Sequence, residues 1–147
     1  MKLSNITITK PNLKSFPEVF PLLRQLWMYK KLNKLRVRKV FAKGLHNTAQ
    51  EFLIAKYDEK IIGFAVMTIK NSLWDEGNLC YVDVIIVDKK HRKKGIGKII
   101  LKEIIKTARK RLCKRIELDT AFFRKDAHKF YKALGFKECN LLFSKNV

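Results

Sequence analysis

The chain has 147 residues, 47% of them apolar and 31% charged, enough to bury the core of one domain and too apolar for an intrinsically disordered chain. No apolar run approaches the roughly 20 residues that a membrane-spanning helix needs, and Met1-Lys2-Leu3-Ser4-Asn5 lacks the apolar stretch of a signal peptide, so a cytoplasmic location is expected. With 33 Lys and Arg against 13 Asp and Glu the formal charge is +20, a field that favours polyanions and disfavours polycationic substrates.

No internal repeat or Pro/Gly/Ser-rich linker interrupts the chain, so residues 1–147 are expected to form a single domain. Leu3, Ile6 and Ile8 suggest a first strand over residues 3–9, ended by Pro11. Phe16, Val19, Phe20, Leu23, Leu26 and Trp27 recur at helical spacing and predict a helix between Phe16 and Leu32. Pro17 suits its first turn, whereas Pro21 implies a kink or a late start. A basic amphipathic helix over Leu35–Leu45 follows, with Gly44 or Asn47 helping to stop it. Glu51–Tyr57 and Ile61–Ile69 are strand-like runs joined by the polar turn Asp58-Glu59-Lys60, and Asn71–Asn78 is a loop with Trp74, Asp75 and Gly77. Leu79–Val87 is apolar and β-branched enough for a central strand buried on both faces. Ile96–Leu112 has helical spacing and a basic tail suited to a helix C-terminus. Arg115–Thr120 reads as a strand, Asp126–Leu134 as a helix stopped at Gly135, and Phe136–Ser144 as a closing strand. The class is α/β, with a sheet of mixed strand direction.

Chemistry concentrates after the central strand, where Arg92-Lys93-Lys94-Gly95-Ile96-Gly97 leads into the long helix. First-turn amides of a helix have no intrahelical partner, so this junction is an anion site. Gly95 and Gly97 permit close backbone approach and positive φ. A Walker A loop is excluded because Lys98 precedes Ile99 and the first glycine is missing. A dinucleotide fingerprint is excluded because Ile100 stands where its third glycine belongs. Cys80, Cys113 and Cys139 are odd in number and lack metal-ligand spacing, so no metal is expected and the thiols read as reduced.

The hexamer after an apolar strand resembles motif A of the GNAT N-acetyltransferase family. Some 30 residues beyond Gly97, Ala127-His128-Lys129-Phe130-Tyr131-Lys132-Ala133-Leu134-Gly135-Phe136 resembles the family's motif B. The resemblance implies a single GNAT-type domain whose mixed, mostly antiparallel sheet splays between strands 4 and 5 and is flanked by about four helices. It implies acetyl-CoA as cosubstrate, with Ile85 and Val87 pairing with the pantetheine arm. Lys93, Lys94, Gly95, Ile96 and Gly97 would hold the pyrophosphate, with Arg92 and Lys98 nearby. Tyr131 matches the tyrosine that protonates the departing thiolate. Many members carry Asn seven residues earlier, where this chain has Arg124. The tail from Leu118 to Lys145 is also similar to a narrower subgroup known for aminoalkylphosphonate N-acetylation.

An alkylammonium must lose a proton before attacking a thioester. Asp83, a carboxylate in an apolar strand where burial would raise its pKa, is the expected base. Tyr81 should share its face, and Glu117, Asp119 and His128 are reserves. The resemblance implies an acceptor pocket walled by Trp27, Tyr29, Arg36, Arg38 and the Trp74-Asp75-Glu76 loop, with Tyr81 and Glu117 beside it. The expected acceptor is the primary amine of a small molecule, the arginines suiting one with an acidic group. A protein lysine or N-terminus is the alternative acceptor, and a non-catalytic nucleic-acid-binding protein is a third reading that the intact Arg92, Gly95, Gly97 and Tyr131 argue against. No membrane partner is expected, and a homodimer is compatible with the sequence.

Overall fold

The computed structural model describes every residue from Met1 to Val147. Its elements are β1 (Thr7–Thr9), α1 (Phe16–Leu26), α2 (Lys34–Leu45), β2 (Gln50–Tyr57), β3 (Lys60–Ser72), β4 (Gly77–Val87), α3 (Ile96–Lys110), β5 (Cys113–Leu118) and α4 (Lys125–Ala133). The strands form one mixed sheet in the order β1-β2-β3-β4-β5. Neighbours from β1 to β4 are antiparallel, and β5 returns parallel to β4 after the α3 crossover, as α/β connectivity requires. The α/β class, mixed sheet and four helices agree with the sequence expectation. The chain divides into two compact units, Met1–Glu117 and Leu118–Val147.

In the first unit the core is built on alternation. Phe52, Ile54, Phe64, Val66, Val84 and Ile86 join Phe16, Val19, Phe20, Leu22, Leu23 and Phe41 of α1 and α2 in one buried cluster. Phe16, Phe41, Phe52 and Phe64 are linked by ring centroids 5.4 to 6.0 Å apart, within the range where tilted aromatic pairs attract. Successive strand residues face opposite ways, so Gly63, next to Phe64, belongs to the other face. A Cβ on Gly63 would lie 2.7 Å from Ile100 Cδ1 and 3.3 Å from the Ile86 carbonyl. That glycine therefore sets how closely α3 packs on the sheet.

Several expected elements differ. Leu3–Asn5 is a single 3-10 turn closed by Ile6 N–H to Leu3 O at 3.1 Å, leaving only Thr7–Thr9 as strand. α1 runs through Pro21 and stops at Leu26, because Trp27 leaves helical geometry at φ −115°, ψ 57°. Gly44 lies inside α2 and does not stop it; it is buried under Phe52, whose ring a Cβ would run into. The expected Asn71–Asn78 loop shrinks to Leu73–Glu76, since Ser72 pairs with Gly77. β5 begins and ends two residues earlier than expected, and α3 two residues earlier at its end. No strand forms over Phe136–Ser144, which carries no regular structure. No helix is long and apolar enough to cross a membrane.

Candidate functional site

β4 ends at Val87, and the following turn is drawn back onto that end. Arg92 Nε–H donates to the Val87 carbonyl at 2.9 Å, and Lys94 Nζ donates to the Lys90 carbonyl at 3.3 Å. Lys93 (φ 60°) and Gly95 (φ 85°) both sit in the left-handed region, while Gly97 is an ordinary helical residue. Positive φ is thus required of Gly95 and Lys93, not of Gly97 as expected. A Cβ on Gly95 would meet only Leu3 Cδ1 at 3.4 Å, so that glycine is needed for conformation and not for space. α3 begins with neither a side-chain cap nor an acidic residue in its first turn. Its first bond is Ile99 N–H to Gly95 O at 3.2 Å, so the amides of Ile96, Gly97 and Lys98 lack intrahelical partners. Lys89, Lys90, Arg92, Lys93, Lys94 and Lys98 cluster about them in the chain. Uncapped amides, two nearby residues at positive φ and surrounding cations fit the diphosphate of coenzyme A.

Asp83 is not buried, contrary to the sequence expectation; it is exposed, and no charged residue in the chain is buried. The cause is a β-bulge. Val66 pairs with Val84 and Met67 with Val82, so Asp83 is the extra residue on β4. A bulge breaks alternation and re-aims a side chain. The Asp83 carboxylate accepts the Thr68 hydroxyl at 2.6 Å, and Thr68 Oγ1 accepts Gln50 Nε2–H at 3.4 Å. Thr68 is the register partner of Tyr81, whose half-buried ring carries the Lys70 ammonium 4.0 Å from its centroid. Asp83, Tyr81, Thr68 and Lys70 thus form one polar cluster at the bulge. Thr68 and Lys70 were missed by the sequence reading, although polar residues two apart on an apolar strand are the signal that finds them. Ile85 and Val87 follow as half-buried residues on the same strand.

Asp75 and Glu117 meet elsewhere. Arg115 binds Asp75 through Nε and Nη2, and its Nη1 reaches Glu117 Oε1 at 2.6 Å. Hydrogen bonds from Arg115 and then Ser72 hold the Asp75 carboxyl below its ordinary range. Glu117 is therefore engaged with a guanidinium, which weakens it as a reserve base. Trp74, at the tip of this hairpin, is 85% exposed, so it walls no pocket within this unit. Trp27 packs against the aromatic core, whereas Tyr29, Arg36 and Arg38 lie on the surface. Burial pushes the Cys80 thiol up to about 12, which makes it a poor nucleophile. An open depression of about 330 Å³ lined by residues including Lys10, Glu51 and Arg111 contains none of the predicted site residues.

In the second unit α4 carries Tyr131. Gly135 N–H bonds Lys132 O and Phe136 N–H bonds Tyr131 O, each at 3.1 Å, with Gly135 at φ 88°. This is a Schellman cap, so the Gly-Phe that closes the tail motif is a helix stop. Phe130 and Phe136 meet the Tyr131 ring edge-on at 5.2 and 5.7 Å. Burial pushes the phenol up to about 12, and the Arg124 charge opposes that shift. His128 Nε2 lies 2.9 Å from the Ala121 carbonyl and ties the preceding loop to α4. Asp119 lies in the loop after β5.

Known proteins share this fold. The chain is 31% identical over 101 residues to N-alpha-acetyltransferase 30 of Xenopus laevis, a match covering 67% of this chain and 36% of that protein. It thus spans about a third of the length of such curated relatives. Among solved structures, a transcriptional regulator from Bacillus halodurans C-125 superposes with a TM-score of 0.89 at 22% identity, covering 97% of this chain and 99% of that one. An aminoglycoside N-acetyltransferase in complex with CoA superposes with a TM-score of 0.86 at 21% identity, covering 96% and 94%. The profile of the acetyltransferase (GNAT) family matches residues 16–136, from the start of α1 to the Phe136 that closes the α4 cap, and the chain belongs to that family.

Proposed function

We propose that residues 1–147 act as one acetyl-CoA-dependent N-acetyltransferase whose acceptor is the primary amine of a small molecule, with an acidic group on the acceptor favoured by the +20 charge. The observation that carries the cosubstrate is the α3 N-terminus, with no side-chain cap and with Lys93 and Gly95 turned to positive φ. Bound there, acetyl-CoA supplies the acetyl group as a thioester. Arg92, Lys93, Lys94 and Lys98 supply countercharge, and the amides from Lys93 to Lys98 supply donors. Ile85 and Val87 offer the backbone groups that pair with the pantetheine arm.

Asp83 receives the acceptor. Its exposed carboxylate, already accepting one hydroxyl, binds the ammonium; without the burial that would make it a base, it positions the amine while the proton leaves through water. Tyr131 supports the departing sulfur. With its pKa raised to about 12 it stays a phenol at neutral pH. Handing its proton outright to a thiolate is uphill, since thiols are more acidic than this phenol (about 8.5 for a cysteine side chain). Its role is therefore a hydrogen bond that strengthens as charge builds on sulfur.

The match to N-alpha-acetyltransferase 30 supports a second reading, in which the acceptor is a protein N-terminus. Thiol release from acetyl-CoA with 2-aminoethylphosphonate, kanamycin, spermidine and a peptide with a free N-terminus separates the two. Turnover of a small amine supports the first reading, turnover of the peptide alone the second, and turnover of none removes both.

A further inference from the structure

We infer that Thr68 is a positioning residue for the acceptor, holding the Asp83 carboxylate where the β4 bulge delivers it. This rests on the reading of Asp83 given above. The bulge frees Asp83 from regular pairing, since Val84 and Val82 take consecutive partners on β3. An exposed side chain on an extra strand residue has several rotamers open to it. The Thr68 hydroxyl selects one, donating to Oδ2 at 2.6 Å, a short bond of the charge-assisted kind.

The hydroxyl is itself directed. Gln50 Nε2–H points at Thr68 Oγ1 at 3.4 Å, so the oxygen accepts from β2 and its proton is left for β4. Three adjacent strands thereby run donor to acceptor, from Gln50 through Thr68 to Asp83. The half-buried Tyr81 ring lies opposite Thr68 in the register, with the Lys70 ammonium 4.0 Å from its centroid. Thr68 touches no reacting atom; it acts through Asp83, fixing how the carboxylate meets the amine.

The test measures kcat and KM for the fastest amine of the panel named above in Thr68→Val, Thr68→Ala, Thr68→Ser, Asp83→Asn and the double variant Thr68→Val/Asp83→Asn. Valine suits a strand and keeps the shape of threonine. Thr68→Val and Thr68→Ala should lose about tenfold or more in kcat/KM for the amine, while KM for acetyl-CoA stays put and Thr68→Ser recovers most of the loss. In the Asp83→Asn background Thr68→Val should cost little more. Wild-type kinetics in both Thr68→Val and Thr68→Ala, or an equal loss with and without Asp83, overturns the role of Thr68 alone. Wild-type kinetics in Asp83→Asn, or no turnover of any amine, overturns the reading beneath it.

Discussion

Arg115 grips Asp75 through two parallel hydrogen bonds, Nε–H to Oδ1 at 2.9 Å and Nη2–H to Oδ2 at 3.1 Å. The fork ties the β3–β4 turn to β5 across 40 residues of chain. Lysine would keep the charge but lose the fork, so Arg115→Lys should raise hydrogen exchange in residues 73–76 while leaving exchange in α1 unchanged. The pH dependence follows from the lowered Asp75 pKa. Stabilisation is fully present above about pH 4, where an unfolded carboxyl titrates, and is lost as pH falls through the depressed folded value. Asp75→Asn should therefore flatten the acid limb of a stability curve, and an unchanged limb contradicts this.

The β2–β3 turn stores strain that glycine would relieve. Tyr57 pairs with Lys60, leaving Asp58 (φ 47°) and Glu59 (φ 63°) as a two-residue turn with both in the left-handed region. Such turns prefer glycine at the second place. Glu59→Gly should stabilise by about 0.5–1 kcal/mol, read as a rise in melting temperature. A fall shows that the added chain entropy outweighs the strain.

Gly135 makes the converse case. Nothing lies within 4 Å of a Cβ built there, yet its φ is 88°. Gly135→Ala should cost about 1 kcal/mol and speed amide exchange at Gly135 and Phe136 first, because theirs are the bonds of the cap.

Tyr131 should ionise late. Its phenol, shifted from 10 to about 12 by burial, contributes stability that is present below pH 10 and declines as pH rises towards 12. The difference in phenolate absorbance between wild type and Tyr131→Phe should appear only above pH 11 or so. A difference already complete near pH 10 contradicts the buried phenol. In turnover, Tyr131→Phe should lower kcat by about 10- to 100-fold, the loss of one hydrogen bond to a charged sulfur.

Much of this was legible in the sequence, for physical reasons that differ by element. The α3 stripe of Ile100, Ile104 and Ala108 is buried because helical periodicity is local. Gly95 and Gly135 announce themselves because few other residues tolerate their φ. What a single segment cannot encode is its partner. Phe136–Ser144 has a strand's composition, but a strand exists only through the bonds of a neighbour. Asp83 misled because the period of two assumes no extra residue, and the bulge that exposes it lies in the pairing of β3 with β4. The engagement of Glu117 by Arg115 could be guessed from their closeness in β5, but the grip on distant Asp75 could not.

The most direct measurement is the melting temperature with millimolar acetyl-CoA in wild type and in Gly95→Val. A ligand that binds only the folded state at 100 times its Kd stabilises by about 2.7 kcal/mol, so the wild type should melt several degrees higher in its presence. Gly95→Val, which cannot hold φ 85° comfortably, should lose most of that rise while remaining folded. No rise in the wild type, or an equal rise in both, contradicts the assignment of the diphosphate to the Lys93–Lys98 turn.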